Sequence, residues 1–224
     1  MQGRRCLDGV LAYVAREGYW REAGMAFGVN SVAWRLDVEL RRTVVRQRFG
    51  PLSWTRLHWA SAAGRPARVA ELLEWGSDAE AADELGWTPL HVASLKGRLE
   101  AARELLRRGA SPGARTKNGF TPLHEAASGG SAEVARLLLD SGADIEARSR
   151  AGGTPLFSAS SEGRVAAVQL LVARGAAVDA RLDDGRTPLS IASDKGHGEV
   201  MCALIGAGAR ARKPLRAAPP RRRY

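Results

Sequence analysis

The chain has 224 residues, 45% of them hydrophobic and 26% charged, with a formal net charge of +10. That balance is ordinary for a folded soluble protein, and no apolar run approaches the ~18 residues of a membrane span. Cys6 and Cys202, at opposite ends of the chain, make neither a disulfide framework nor a metal motif, which fits a reducing compartment. The charge is segregated. Residues 1–50 carry nine arginines against five carboxylates (+4), residues 51–209 carry 18 basic against 19 acidic residues (−1), and residues 210–224 carry seven basic residues and no acid (+7). Nucleic-acid-binding domains carry their positive charge on the folded surface. Here it belongs to the flanks, so nucleic acid is expected to bind only non-specifically, through the tail.

Residues 1–50 lack the regularity of the rest. Leu7, Val10, Leu11 and Val14 share one face of a predicted helix from Cys6 to Glu17, and the charges within it do not make a secretory signal. Gly18, Gly24 and Gly28 interrupt the pattern. Asn30 or Ser31 can cap a second predicted helix reaching about Phe49, with Val32, Leu36, Leu40 and Val44 in one row and Gly50-Pro51 ending it. This segment reads as a helical cap over the repeats that follow or as a separate docking element. Trp34, Leu36, Val38 and Leu40 within an Arg-rich helix weakly resemble the latter half of an F-box, the motif that ties substrate receptors to ubiquitin ligases. The Leu-Pro opening of that motif is missing.

From Trp54 onward a 33-residue period governs the chain. Thr55, Thr88, Thr121, Thr154 and Thr187 are equivalent; Pro follows at 89, 122, 155 and 188, and Leu at 57, 90, 123, 156 and 189. Each Thr is placed to cap a helix, each Pro sits at the first helical position where its missing N–H costs nothing, and each Leu points into a core. Small Ala60, Ala93, Ala126, Ala159 and Ala192 suit close helix packing. Gly64, Gly97, Gly130, Gly163 and Gly196 end the first helix, and a second helix marked by pairs such as Leu105-Leu106 and Leu138-Leu139 is closed by Gly76, Gly109, Gly142, Gly175 and Gly208.

Thr88-Pro89-Leu90-His91-Val92-Ala93, Thr121-Pro122-Leu123-His124-Glu125-Ala126 and Leu138-Leu139-Asp140-Ser141-Gly142-Ala143 resemble the hallmarks of ankyrin repeats over about residues 51–212. The resemblance implies an all-α solenoid of stacked antiparallel helix pairs with hairpin-like loops projecting as fingers. Five repeats are expected, at about 54–86, 87–119, 120–152, 153–185 and 186–209. Arg56 in the Pro position, and Phe157 and Ser190 in the His position, depart from the pattern; Phe157 puts the His-mediated loop contact of repeat four in doubt. Residues 210–224 read as a disordered basic tail. Its two basic clusters around a Pro-containing spacer look like a bipartite nuclear-import signal, or simply a solubilising segment. The expected location is cytoplasmic or nuclear.

Chemistry is not expected. His58, His91 and His124 fall one per repeat, roughly 8–10 Å apart in a helix stack, too far to share a zinc ion; they are expected to bond the neighbouring loop backbone. The serines have no recognisable partner base and acid, and Gly129-Gly130 and Gly152-Gly153 match no phosphate-loop spacing. No catalytic residue, metal, cofactor or small-molecule substrate is therefore assigned.

What remains is a surface for a protein partner, built from positions that vary between repeats. Trp54, Trp87 and Phe120 are equivalent and are expected to form an aromatic ladder. It reads either as an exposed binding strip or as rings laid against neighbouring fingers to stabilise the stack. Leu85, Leu95, Lys96, Lys117 and Asn118 extend this candidate surface, and Arg150, Glu162, Arg186, Asp194 and Lys195 make its C-terminal half charged. The leading expectation is a monomeric, non-enzymatic protein-interaction module. A ligase substrate receptor using residues 1–50 and a nuclear or nucleic-acid-associated regulator using the tail are the alternatives.

Overall fold

The structure is a computed structural model and describes residues 48–49 and 53–209. The segments before and after, with the two expected N-terminal helices, the F-box-like stretch and the basic tail, lie outside the described residues, except at one point. Arg48 and Phe49 are not the end of a helix. They form a short strand β1 (Arg48–Phe49) paired antiparallel with β2 (Trp54–Thr55), in the register Arg48↔Thr55 and Phe49↔Trp54. This strand pair stands at the head of the finger row, with Arg48 reaching the Ala82 carbonyl of the next finger.

Among the described residues ten helices follow in five pairs: α1 (Arg56–Ala63) and α2 (Pro66–Glu74), α3 (Pro89–Leu95) and α4 (Leu99–Arg107), α5 (Pro122–Gly129) and α6 (Ala132–Asp140), α7 (Pro155–Ser161) and α8 (Val165–Ala173), α9 (Pro188–Asp194) and α10 (Gly198–Gly206). Helices of seven to nine residues are too short to persist alone in water, so the stack must supply their stability. One leucine from each helix does most of this. Leu57 and Leu72, Leu90 and Leu105, Leu123 and Leu138, Leu156 and Leu171, and Leu189 and Leu204 are all buried in a single core running the length of the array. Each such side chain contributes about 2 kcal/mol when fully buried.

Neighbouring first helices approach one another more closely than neighbouring second helices do. The reason is in the sequence: Ala60, Ala93, Ala126, Ala159 and Ala192 are all buried among the first helices. Gly129 takes this furthest, since a Cβ there would lie 2.3 Å from the Leu95 carbonyl oxygen. The ankyrin resemblance implies that the first helices and the fingers face the concave side.

Candidate functional site: the fingers and the inner helices

Each finger is closed at its base and tied to the next. The Asp83 amide donates to the Trp87 carbonyl, Thr116 to Phe120, Ser149 to Gly153 and Leu182 to Arg186, all at 2.9 Å. Side chains reinforce the first three: Asp83 Oδ1 accepts from the Leu85 and Trp87 amides at 2.8 Å, Thr116 Oγ1 from Phe120 at 3.1 Å, and Ser149 Oγ from Gly153 at 3.1 Å. Leu182 has no oxygen to offer. Tip-to-tip bonds then join successive fingers: Lys117 N to Leu85 O and Arg150 N to Asn118 O, both 2.9 Å, and Asp183 N to Ala151 O, 3.2 Å. Arginines brace the row from below, each reaching its own finger and the next. Arg48 donates to the Ser53 and Ala82 carbonyls, Arg115 to Gly119 and Arg148, and Arg148 to Gly152 and Arg181.

The histidines act as the sequence implies. In His58, His91 and His124, Nδ1 accepts from the backbone N–H of the capping threonine at 3.1–3.2 Å. Nε2 must then carry the proton, and it donates to the carbonyl of Trp87, Phe120 and Gly153 in the next repeat, at 2.9, 3.1 and 3.0 Å. Burial holds all three rings neutral: the pKa of His58 is lowered, and those of His91 and His124 are lowered to about 4, the carbonyl bonds offsetting only part of the desolvation. Phe157 makes no such bond; its amide donates to Thr154 Oγ1 at 3.4 Å. The Ser190 hydroxyl closes locally on Thr187. Among the described residues no group of His, Cys, Asp or Glu could hold a metal ion.

The aromatic ladder needs correcting. Trp54 is 1% exposed and Trp87 8%, so neither is a surface residue. Trp54 stacks on His58 (5.8 Å between centroids), meets Trp59 edge-on (4.6 Å) and donates Nε1–H to the buried Asp83 carboxylate at 3.1 Å. Trp87 leans on His91 at 6.0 Å. Together with Ala62 and Val92 these tryptophans form a second apolar cluster, separate from the main core, where the first two fingers meet α1 and α3. The side chains that continue this cluster toward solvent are Trp59, Leu85 and Leu95, all half-buried. Phe120 is half-buried in the next finger, edge-on to His124 at 5.5 Å. Trp59, at the variable position after the repeat histidine, reads from the sequence as either thickening the ladder or joining the core; it is half-buried, edge-on to Trp54.

The remaining predicted positions are distributed along the same side. Lys117, Asn118 and Arg150 are exposed at the tips of the middle fingers. Lys96 is half-buried at the end of α3. In the last two repeats Lys195 donates to Ser161 Oγ at 2.8 Å and lies 3.6 Å from Glu162, Arg186 pairs with Asp184 at 2.7 Å, and Asp194 is exposed. The surface therefore changes from apolar at the first two repeats, through cationic tips, to a self-paired polar end.

A stack of short helix pairs locked through finger backbones defines a repeat scaffold. The family model for ankyrin repeats (three copies) matches residues 57–149 and again residues 147–214, so the chain belongs to the ankyrin-repeat family, whose members generally mediate protein–protein interactions. No curated protein matches it. None of the described helices is long and apolar enough to cross a membrane.

Proposed function

We propose that this protein is a non-enzymatic, monomeric interaction module that holds a protein partner on its concave side, with the partner's apolar contact at Trp59, Leu85, Leu95 and Phe120. The observation that carries this is the second apolar cluster. Its inner members Trp54, Trp87 and Val92 are buried, yet its outer members stay half-exposed on a side where fingers and inner helices are rigidly tied. A preformed apolar floor of this kind spends little ordering entropy on binding, and partly exposed aromatic and aliphatic side chains are where interface energy concentrates.

The test uses side chains that reach solvent, since truncating Trp54 or Trp87 would open the cluster itself. Partner capture from cell extract should be lost in Leu85→Ser/Leu95→Ser and in Phe120→Ser. It should persist in Arg103→Ser on the second-helix side, with the helical circular dichroism retained in all three. Loss of capture in Arg103→Ser, or its survival in the concave variants, would sink the reading.

A further inference from the structure

The tip row of the fingers carries information about what the partner must look like. Its tip residues are joined in order by the backbone bonds Leu85 O to Lys117 N, Asn118 O to Arg150 N and Ala151 O to Asp183 N. The strip therefore runs anionic and apolar (Glu84, held by Ser53, and Leu85), cationic (Lys117), amide (Asn118), cationic (Arg150), small (Ala151) and anionic (Asp183, Asp184). All of these but Leu85 are exposed. Arg115 and Arg148 are committed to finger carbonyls, and Arg186 to Asp184. Lys117 and Arg150 differ: among the described residues no carboxylate lies within ion-pair distance of either, so both present their charge outward.

We infer that the strip takes an extended acidic segment of another protein, an apolar residue seated at Leu85 and two carboxylates on Lys117 and Arg150. Adjacent layers stand roughly 8–10 Å apart, one helix-packing distance, and an extended chain advances about 3.3 Å per residue. Successive contacts therefore fall about three residues apart, giving the pattern apolar-x-x-acid-x-x-acid. Asp183 and Asp184 set its length, because a third acid at the same interval would meet like charge. Polarity and length are both written by the fingers: the apolar end lies over repeats one and two, and acidic character stops at repeat four. This rests on the concave-side reading above and adds the chemistry of the bound segment.

The experiment pans a displayed library of random dodecapeptides on the full-length chain and measures the enriched peptides by fluorescence anisotropy. Enriched peptides should carry an apolar residue followed at about three-residue intervals by two acids. Their affinity should fall about tenfold or more in Lys117→Glu/Arg150→Glu and fall with rising salt. It should rise, for peptides with a third acid at that interval, in Asp183→Asn/Asp184→Asn. Peptides that are lost in Leu85→Ser/Leu95→Ser but indifferent to Lys117→Glu/Arg150→Glu would overturn the acidic-segment assignment and leave the concave site standing. Peptides indifferent to both variants, or no enrichment at all, would overturn both.

Discussion

Mild acid should loosen this stack, through the histidines rather than the carboxylates. His91 and His124 are buried, and their pKa values are lowered to about 4 chiefly by that burial; an unfolded histidine titrates near 6.5. Between these values the unfolded chain binds more protons than the folded one, so stability rises with pH. The contribution is complete above about pH 6.5 and is lost as pH falls toward 4. From pH 7 to about pH 5 the loss is about 2 kcal/mol per ring, or about 4 kcal/mol for the two. His58, also lowered, acts in the same direction. For a domain of this size that is a fall in melting temperature of roughly 8–16 °C. Thermal melts at constant ionic strength would measure it, and His91→Gln/His124→Gln should flatten the dependence. A melting temperature constant within about 2 °C over that window, or His91 and His124 ring resonances titrating near 6.5, would refute the burial argument.

Three further outcomes follow from the packing. Gly129→Ala places a Cβ 2.3 Å from the Leu95 carbonyl oxygen and should cost about 1–3 kcal/mol, whereas Gly206→Ala meets open space in α10 and should be neutral or stabilising by up to about 1 kcal/mol; equal effects in chemical denaturation would contradict the close approach of α3 and α5. Trp54→Phe keeps most of the ring but removes the Nε1 donor from buried Asp83, and should cost about 1.5–3 kcal/mol, a penalty that Asp83→Asn beforehand should shrink in a double-mutant cycle. Repeat five, which receives no histidine bond from Phe157 and whose finger has Leu182 where the others have Asp83, Thr116 or Ser149, should exchange its amide hydrogens faster than repeat three. Uniform protection along 122–206 would argue against that.

The scaffold was legible because its residues answer to one-dimensional rules. Thr, Pro, Leu and Gly recur where a cap, a helix start, a core contact and a left-handed turn are needed, and the described helices begin at Pro89, Pro122, Pro155 and Pro188 as that pattern requires. Even the histidine bond, which spans 29 residues, was implied because its partner recurs with the same period. The aromatic positions were less legible. Variation between copies marks freedom from the helix-to-helix core, and Trp54, Trp87 and Phe120 do lie outside it. Such freedom does not imply exposure, because a finger side chain can turn inward onto a second cluster, as Trp54 does when Asp83 and Trp59 wait for it. Sequence spacing carries no record of that inward turn. The strand at Arg48–Phe49 was obscured for a related reason: apolar residues at spacing four ran from Val32 to Val44 and Gly50-Pro51 offered the next stop, while the pairing with Trp54–Thr55 is a tertiary event that such spacing does not record.

The arginine braces reach one layer and no further, from Arg48 to Ala82, from Arg115 to Arg148 and from Arg148 to Arg181. Under a pulling force applied through its ends, the array is therefore a set of junctions loaded in series, and each must carry the whole tension alone. The junction after Phe157 lacks the buried histidine bond of its neighbours and holds instead by the half-buried Lys195 and His197 on Ser161, so it is where the array should give first. Extension would begin by shedding the last repeat, releasing roughly 80 Å of contour for residues 186–209, while the apolar floor of the first two repeats stays assembled under load.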